Sequence, residues 1–179
     1  TFISSILFFN SILLMNQNPH RQVENLFDYE KKILIGKNSL LKISDKDFDY
    51  LKNAKKQLIL NDFKDGQLML DMTGRSPGFI YAIKGKPLLA AWVIGGYPRS
   101  NKLLEYLLSK EECKNLKTAW ILTEPGGPRS LDQKFLLKKG IDINNQNHYK
   151  EVANINFKRE NVKQYIYKPI KKNEFLDDC

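Results

Sequence analysis

Three short stretches hold most of the residues in this chain that could do chemistry. They read Asp71-Met72-Thr73-Gly74-Arg75-Ser76-Pro77-Gly78, then Gly95-Gly96-Tyr97-Pro98-Arg99-Ser100, then Glu124-Pro125-Gly126-Gly127-Pro128-Arg129-Ser130. Together they contain six of the ten glycines, four of the seven prolines and three of the five arginines, and each of those arginines precedes a serine. Arginine presents a planar, permanently charged fork that suits phosphate, sulfate or carboxylate. Glycine lets backbone come close to a ligand, and proline stiffens a turn. The candidate ligand-binding residues are therefore Thr73, Gly74, Arg75 and Ser76, then Gly95, Gly96, Tyr97, Arg99 and Ser100, then Gly126, Gly127, Arg129 and Ser130. Asp71 and Glu124 open their loops and are the candidates for acid–base work. Either carboxylate could equally bind sugar hydroxyls or hold an arginine.

A structural reading of the same residues stands beside this one. Ser76, Ser100 and Ser130 are placed as helix N-caps, with Gln133 completing a capping box after Ser130 and Pro77 at the first helical position. On that reading the arginines pair with Asp71 and Glu124 and brace the loops. Stronger chemical signatures are missing: there is no GxGxxG, P-loop, HExxH, CxxC or Cys-x5-Arg pattern. His20 and His148 fall in polar stretches and read as solvated loop residues. No metal and no cofactor is expected.

The loops need elements to position them. Gln67 to Asp71, Pro87 to Ile94 and Thr118 to Thr123 are short, nearly continuous apolar runs, the pattern of strands buried on both faces. Helix-length segments follow at Gly78 to Lys84, Asn101 to Glu112 and Leu131 to Lys139, the last closed by Gly140. Strand, loop and helix thus recur three times, which predicts parallel βαβ units in a small, Rossmann-like three-layer α/β domain. Every loop then lies at the C-terminal edge of the sheet, where ligands of such folds bind. Tyr149 to Phe157 and Val162 to Tyr167, joined by a turn at Lys158 to Asn161, add an antiparallel edge hairpin. Before the domain, Ser44 to Leu60 reads as an amphipathic helix with Ser44 as N-cap, Asp47 at the capping-box position, and Phe48, Leu51, Ala54 and Leu58 at helical spacing. An earlier helix is expected over Gln22 to Leu34, ending at Gly36.

The chain has 179 residues and a mass of 20.8 kDa, with 42% hydrophobic and 27% charged residues, which suits one packed domain with a short appendage. Its net charge of +9 comes from 24 lysines and only 5 arginines, and the lysines are scattered along the chain. Nucleic-acid binders concentrate basic residues on one element, so the lysines read as a solvated surface, with attraction to anionic membranes as the second reading. Two cysteines are too few for a disulfide scaffold. Cys113 and Cys179 fit a disulfide in an oxidising compartment and two free thiols equally. Phe2 to Met15 is an apolar run of 14 residues, shorter than the 17 to 25 or so that a membrane span needs. It is expected to be the end of a longer hydrophobic segment, with Asn16 to Arg21 as the exit from the bilayer; an N-terminal core helix is the alternative. The expected division is 1–19 as this segment, 20–62 as a helical lead-in, 63–170 as the α/β domain and 171–179 as a charged tail.

The motifs DMTGRSPGFIYAI, AWVIGGYPRS and AWILTEPGGPRS, followed by LLKKG, HYKEVANINF and KQYIYKP, resemble the soluble tail of certain bacterial polytopic membrane proteins. Those proteins are similar to C-type glycosyltransferases, which use lipid-phosphate-sugar donors. The resemblance spans about Leu60 to Pro169. It implies an extracytoplasmic α/β domain after a final membrane helix, at the bacterial inner membrane with its soluble part in the periplasm. A long translocated domain tolerates a positive charge. The resemblance also implies that the catalytic carboxylate of such enzymes lies in a loop between early membrane helices, so no residue here inherits it. The expected function is binding of a phosphate- or carboxylate-bearing glycan, or a lipid-linked sugar, at the three-loop edge, without nucleic acid. The isolated chain is not expected to be catalytic. The rivals are a stand-alone phosphosugar or nucleotide enzyme, with Asp71 or Glu124 as base, and a non-catalytic interaction domain. On the binding reading, replacing Arg75, Arg99 and Arg129 together abolishes anion binding while the fold survives.

Overall fold

A computed structural model describes residues 2–17, 25–35, 39–157 and 162–170. The expectations for the bilayer exit beyond Gln17, for His20, for Gly36, for the turn at 158–161, for the tail from 171 and for Cys179 lie outside the described residues. Cys113 is disulfide-bonded.

The sheet has five strands: β3 (Leu68–Asp71), β4 (Lys86–Pro87), β5 (Trp120–Thr123), β6 (Tyr149–Phe157) and β7 (Val162–Pro169), in the order β4-β3-β5-β7-β6. β3 runs parallel to both β4 and β5, whereas β7 is antiparallel to β5 and to β6. The fold is thus a small mixed α/β domain with an antiparallel hairpin at one edge. The apolar runs of β3 and β5 are explained by their two faces. Met69, Trp120 and Leu122 pack into one core with α2 (Asp45–Leu60) and α3 (Pro77–Ala82). Leu70 and Ile121 point the other way, into a second core with α4 (Ser100–Lys110), α5 (Cys113–Thr118) and α6 (Lys134–Leu137). Alternating side chains of one strand feed both layers, so no polar position is left to interrupt the run.

α2 begins as its sequence predicts. The Ser44 hydroxyl accepts from the Asp47 amide at 3.2 Å and donates to the Asp47 carboxylate at 3.0 Å. Its buried stripe is Tyr50, Leu51, Ala54 and Leu58.

Two elements differ from the expectation. The helix expected over Gln22 to Leu34 is replaced, from Leu26 onward, by a 3-10 turn (Leu26–Asp28) and then β1 (Lys31–Ile35), which pairs antiparallel with β2 (Ser39–Ile43). The lead-in is therefore a hairpin followed by a helix. The β-branched Ile33, Ile35 and Ile43 suit a pleated surface, and Ile33 and Ile43 are buried on the core. The strand expected over Pro87 to Ile94 pairs only through Lys86 and Pro87. Leu88 adds one bond to Met69, and Leu89 then enters the left-handed region at φ 66°, which turns the chain out of the ladder. Leu88 and Val93 are still buried, so the apolar run reflects packing rather than strand pairing.

Ahead of the hairpin, α1 (Phe2–Gln17) is apolar on every side, carries no charge and buries no residue. Its 16 residues span about 24 Å at ~1.5 Å per residue. No helix among the described residues is long and apolar enough to cross a membrane.

Candidate functional site

The parallel trio β4-β3-β5 brings the three loops together at one edge, and close backbone contacts join them. The Met72 amide donates to the Leu122 carbonyl at 2.8 Å, and the Leu131 amide donates to the Met72 carbonyl at 2.9 Å. The loops meet at the main-chain carbonyl of Arg129. A Cβ added to Gly74 would lie 2.2 Å from that oxygen, and one added to Gly95 would lie 2.0 Å from it. A Cβ on Gly96 would come within 2.9 Å of the Pro128 carbonyl. These glycines are needed for loop-to-loop contact.

The first loop is wound around Asp71. Its carboxylate accepts from the Thr73 amide at 2.9 Å, the Thr73 hydroxyl at 2.6 Å and the Ser76 amide at 2.8 Å. The Thr73 and Ser76 hydroxyls stand 2.8 Å apart. Burial pushes the Asp71 carboxyl above its ordinary value of 3.8, opposed by the bonds from Thr73, Ser76 and Gly74. The folded chain thus holds this proton more tightly than the unfolded chain. Ionising Asp71 costs stability above its raised pKa, and that cost disappears as pH falls below the unfolded value. In a carboxyl-carbon NMR titration Asp71 is expected to protonate at a pH above 3.8; a midpoint at or below the ordinary value would contradict the burial assigned to it.

Glu124 is fully buried and sits at the centre of a second network. Arg75 Nη2 lies 2.8 Å from Glu124 Oε1, an ion contact that is not aligned as a hydrogen bond, while Arg75 Nε donates to Oε2 at 3.3 Å. Gln164 Nε2, on β7, donates to the same Oε2 at 2.7 Å. Gln164 Oε1 in turn accepts from the Tyr50 hydroxyl. Burial, with the Asp71 and Glu124 carboxylates nearby, pushes the Tyr50 phenol far above its ordinary value, so it stays a donor. Gly127 covers the carboxylate: a Cβ there would lie 2.0 Å from Glu124 Oε1. The Ser130 hydroxyl donates to the Glu124 carbonyl.

Three capping expectations are corrected. Ser76 stands at the N-cap of α3 but makes no side-chain cap bond, because its hydroxyl faces Thr73. Ser100 is the first residue of α4, and Arg99, in the left-handed region at φ 71°, holds the N-cap position. Ser130 is spent on the Glu124 carbonyl, so α6 starts later, with Gln133 as N-cap and no box. Pro77 does occupy the start of α3.

The predicted site residues therefore divide. Arg75 is only 16% exposed and is bound to Glu124, so it braces the loops. Gly74 and Gly95 are buried between the loops, Ser100 is buried in the core beneath them, and Gly127 lies against Glu124. Gly96, Tyr97 and Arg99 face solvent on the second loop, as does Gly126 on the third, with Arg129 half-buried beside them. The Arg129 guanidinium stacks over the Tyr97 ring, its Cζ 4.2 Å from the centroid, and Tyr97 is 54% exposed. Arg99 has no ion pair with any described residue. Trp92, earlier in the same segment, is also exposed.

Gln164 and Tyr50 were not singled out from the sequence. Tyr50 does lie on the stripe shared with Ala54 and Leu58, and Gln164 shares the inward face of β7 with buried Ile166, so a polar residue at an inward position was the available signal. Among the described residues, no group of His, Cys, Asp or Glu is arranged to hold a metal ion. Two surface cavities lie away from these loops. One, of about 580 Å³, is lined by Tyr149, Lys150, Glu151 and Tyr167, and the other, of about 350 Å³, lies between α2 and β6. No family model matches the chain, and no curated protein or solved structure matches it.

Proposed function

We propose that this domain binds an anionic glycan, a sugar bearing phosphate or carboxylate or the head of a lipid-linked sugar, as the periplasm-facing part of a bacterial inner-membrane glycosyltransferase-like protein. The observation that supports this most is the Arg129–Tyr97 stack with Arg99 two residues along the same loop. An exposed aromatic ring offers a flat apolar face to a sugar, and two guanidinium groups beside it supply donors for the acid group. α4 begins directly after Arg99, so its positive dipole end lies next to that residue. Asp71 and Glu124 are engaged by the loops themselves, so the domain presents its ligand and the chemistry belongs elsewhere in the parent protein.

The membrane half of the proposal rests on α1. Three of its six polar side chains bond back to the helix: Asn10 donates to the Ile6 carbonyl at 3.0 Å, Ser11 to Leu7 at 2.8 Å and Asn16 to Ile12 at 2.8 Å. A helix that is apolar all round and bonds polar side chains back on itself suits hydrocarbon surroundings.

Titration of the protein with a hexose 1-phosphate tests the ligand. Arg99→Ala and Arg129→Ala are each expected to weaken binding by roughly tenfold, consistent with the worth of one charge-assisted hydrogen bond, and the pair to abolish it. Unchanged affinity in the double variant would sink the proposal. A second reading, an interaction domain with braced loops and no small ligand, is favoured by one observation, the burial of Arg75 against Glu124. Failure of every anionic sugar to bind would select it.

A further inference from the structure

Part of one face of the β1–β2 hairpin is fixed to the domain, with Leu41 on that face still 50% exposed, and the other face is free. Ile33 and Ile43 are buried in the core shared with α2 and α3. The register sets the other face: Lys32 stands across from Lys42, and Leu34 across from Leu40. Side chains alternate along a strand, so these four share the outward face. All are exposed, Leu34 at 51% and Leu40 at 63%. A strand that faces water puts polar residues outside, and two lysines directly opposite repel each other. Two leucines flanked by two lysines make this face complementary to a surface that is both apolar and negatively charged. Between Lys31 and Ile43 the sequence has four lysines and no Asp or Glu. Phe27, in the turn just before β1, is exposed as well.

We infer that the outward face of the hairpin rests on an anionic lipid surface, with Leu34 and Leu40 entering the boundary between headgroups and acyl chains and Lys32 and Lys42 on lipid phosphates. Apolar side chains flanked by lysine are the chemistry of an interfacial segment. The inference rests on the reading of α1 as membrane-embedded, because that helix precedes the hairpin by a short stretch of chain and would deliver it to the bilayer surface. An acidic protein would answer the lysines but not the continuity with α1. A second copy of the chain would bring lysines against lysines.

The test places the full chain in lipid nanodiscs of phosphatidylcholine with phosphatidylglycerol, doped with a nitroxide lipid, and reads paramagnetic broadening of leucine methyl signals. The methyls of Leu34 and Leu40 are expected to broaden along with those of Leu7 and Leu13, and the Leu34 and Leu40 effect to fade in phosphatidylcholine alone. Lys32→Gln with Lys42→Gln is expected to lower the preference for anionic over neutral vesicles by about thirtyfold. Broadening of Leu7 and Leu13 with Leu34 and Leu40 unaffected would overturn this inference and leave the tether standing. No broadening at any of the four would overturn both. Self-association in the absence of lipid, lost on Leu34→Ser with Leu40→Ser, would assign the face to a second copy and overturn the lipid partner.

Discussion

Arg75→Ala is expected to lower the free energy of unfolding by about 3–5 kcal/mol, the cost of leaving one charge of a buried pair uncompensated. The Glu124 side chain has no solvent exposure, and its neighbours are the Arg75 guanidinium, the Gln164 amide and the close backbone of Gly127. Once Arg75 is gone, a single amide at 2.7 Å cannot offset the desolvation of a carboxylate. Urea unfolding at pH 7 measures the loss. Glu124→Gln in the Arg75→Ala background keeps the acceptor, removes the charge and should recover at least half of it. A loss below about 1 kcal/mol would show that the pair is a solvated surface contact. Because Arg75 pairs with buried Glu124, the expectation that Arg75, Arg99 and Arg129 can be removed together with the fold intact does not hold. Only Arg99 and Arg129 can be tested for binding without disturbing the core of the site.

Gly95→Ala should be nearly as damaging, by about 3 kcal/mol, through overpacking. Its Cβ would sit 2.0 Å from the Arg129 carbonyl oxygen and 2.8 Å from the attached carbon. Both are backbone atoms, so no side chain can swing aside, and the second and third loops must separate. Gly74→Ala meets the same oxygen at 2.2 Å and also starts from φ 67°, which adds backbone strain. Gly78→Ala serves as the control: it lies in α3 with nothing within 4 Å, and alanine there should raise stability by about 0.5–1 kcal/mol. Thermal unfolding of the three variants would rank them. If Gly95→Ala melts with the parent, the loops are not joined as described.

How much of this was legible in the sequence follows from what each residue contacts. β3 and β5 could be read because burial on both faces leaves an uninterrupted apolar run. α2 could be read because Ser44, Asp47 and its buried stripe are local signals. The convergence of the loops also follows from strand direction alone. β4 could not be bounded, since Leu88 and Val93 are buried whether or not the chain pairs as a strand. The β1–β2 hairpin was hidden because Val23, Leu26, Phe27 and Ile33 also fit helical spacing and Gly36 suits a helix end as well as a break between strands. The division among the arginines was least accessible. Whether Arg75 faces a ligand or Glu124 depends on Gln164, which is 40 residues from Glu124 and reaches it only because β7 lies antiparallel beside β5. Nothing near Arg75 in the chain announces that partner.

Tyr97, Arg99 and Arg129 form the proposed binding face. Backbone amide shifts of the labelled protein during titration with a hexose 1-phosphate test it most directly. Saturable shifts are expected at Gly96 to Asn101 and Gly126 to Ser130, lost in the Arg99→Ala, Arg129→Ala double variant while the remaining spectrum is retained. Shifts confined to the cavity lined by Tyr149 and Tyr167, or none anywhere, would contradict it.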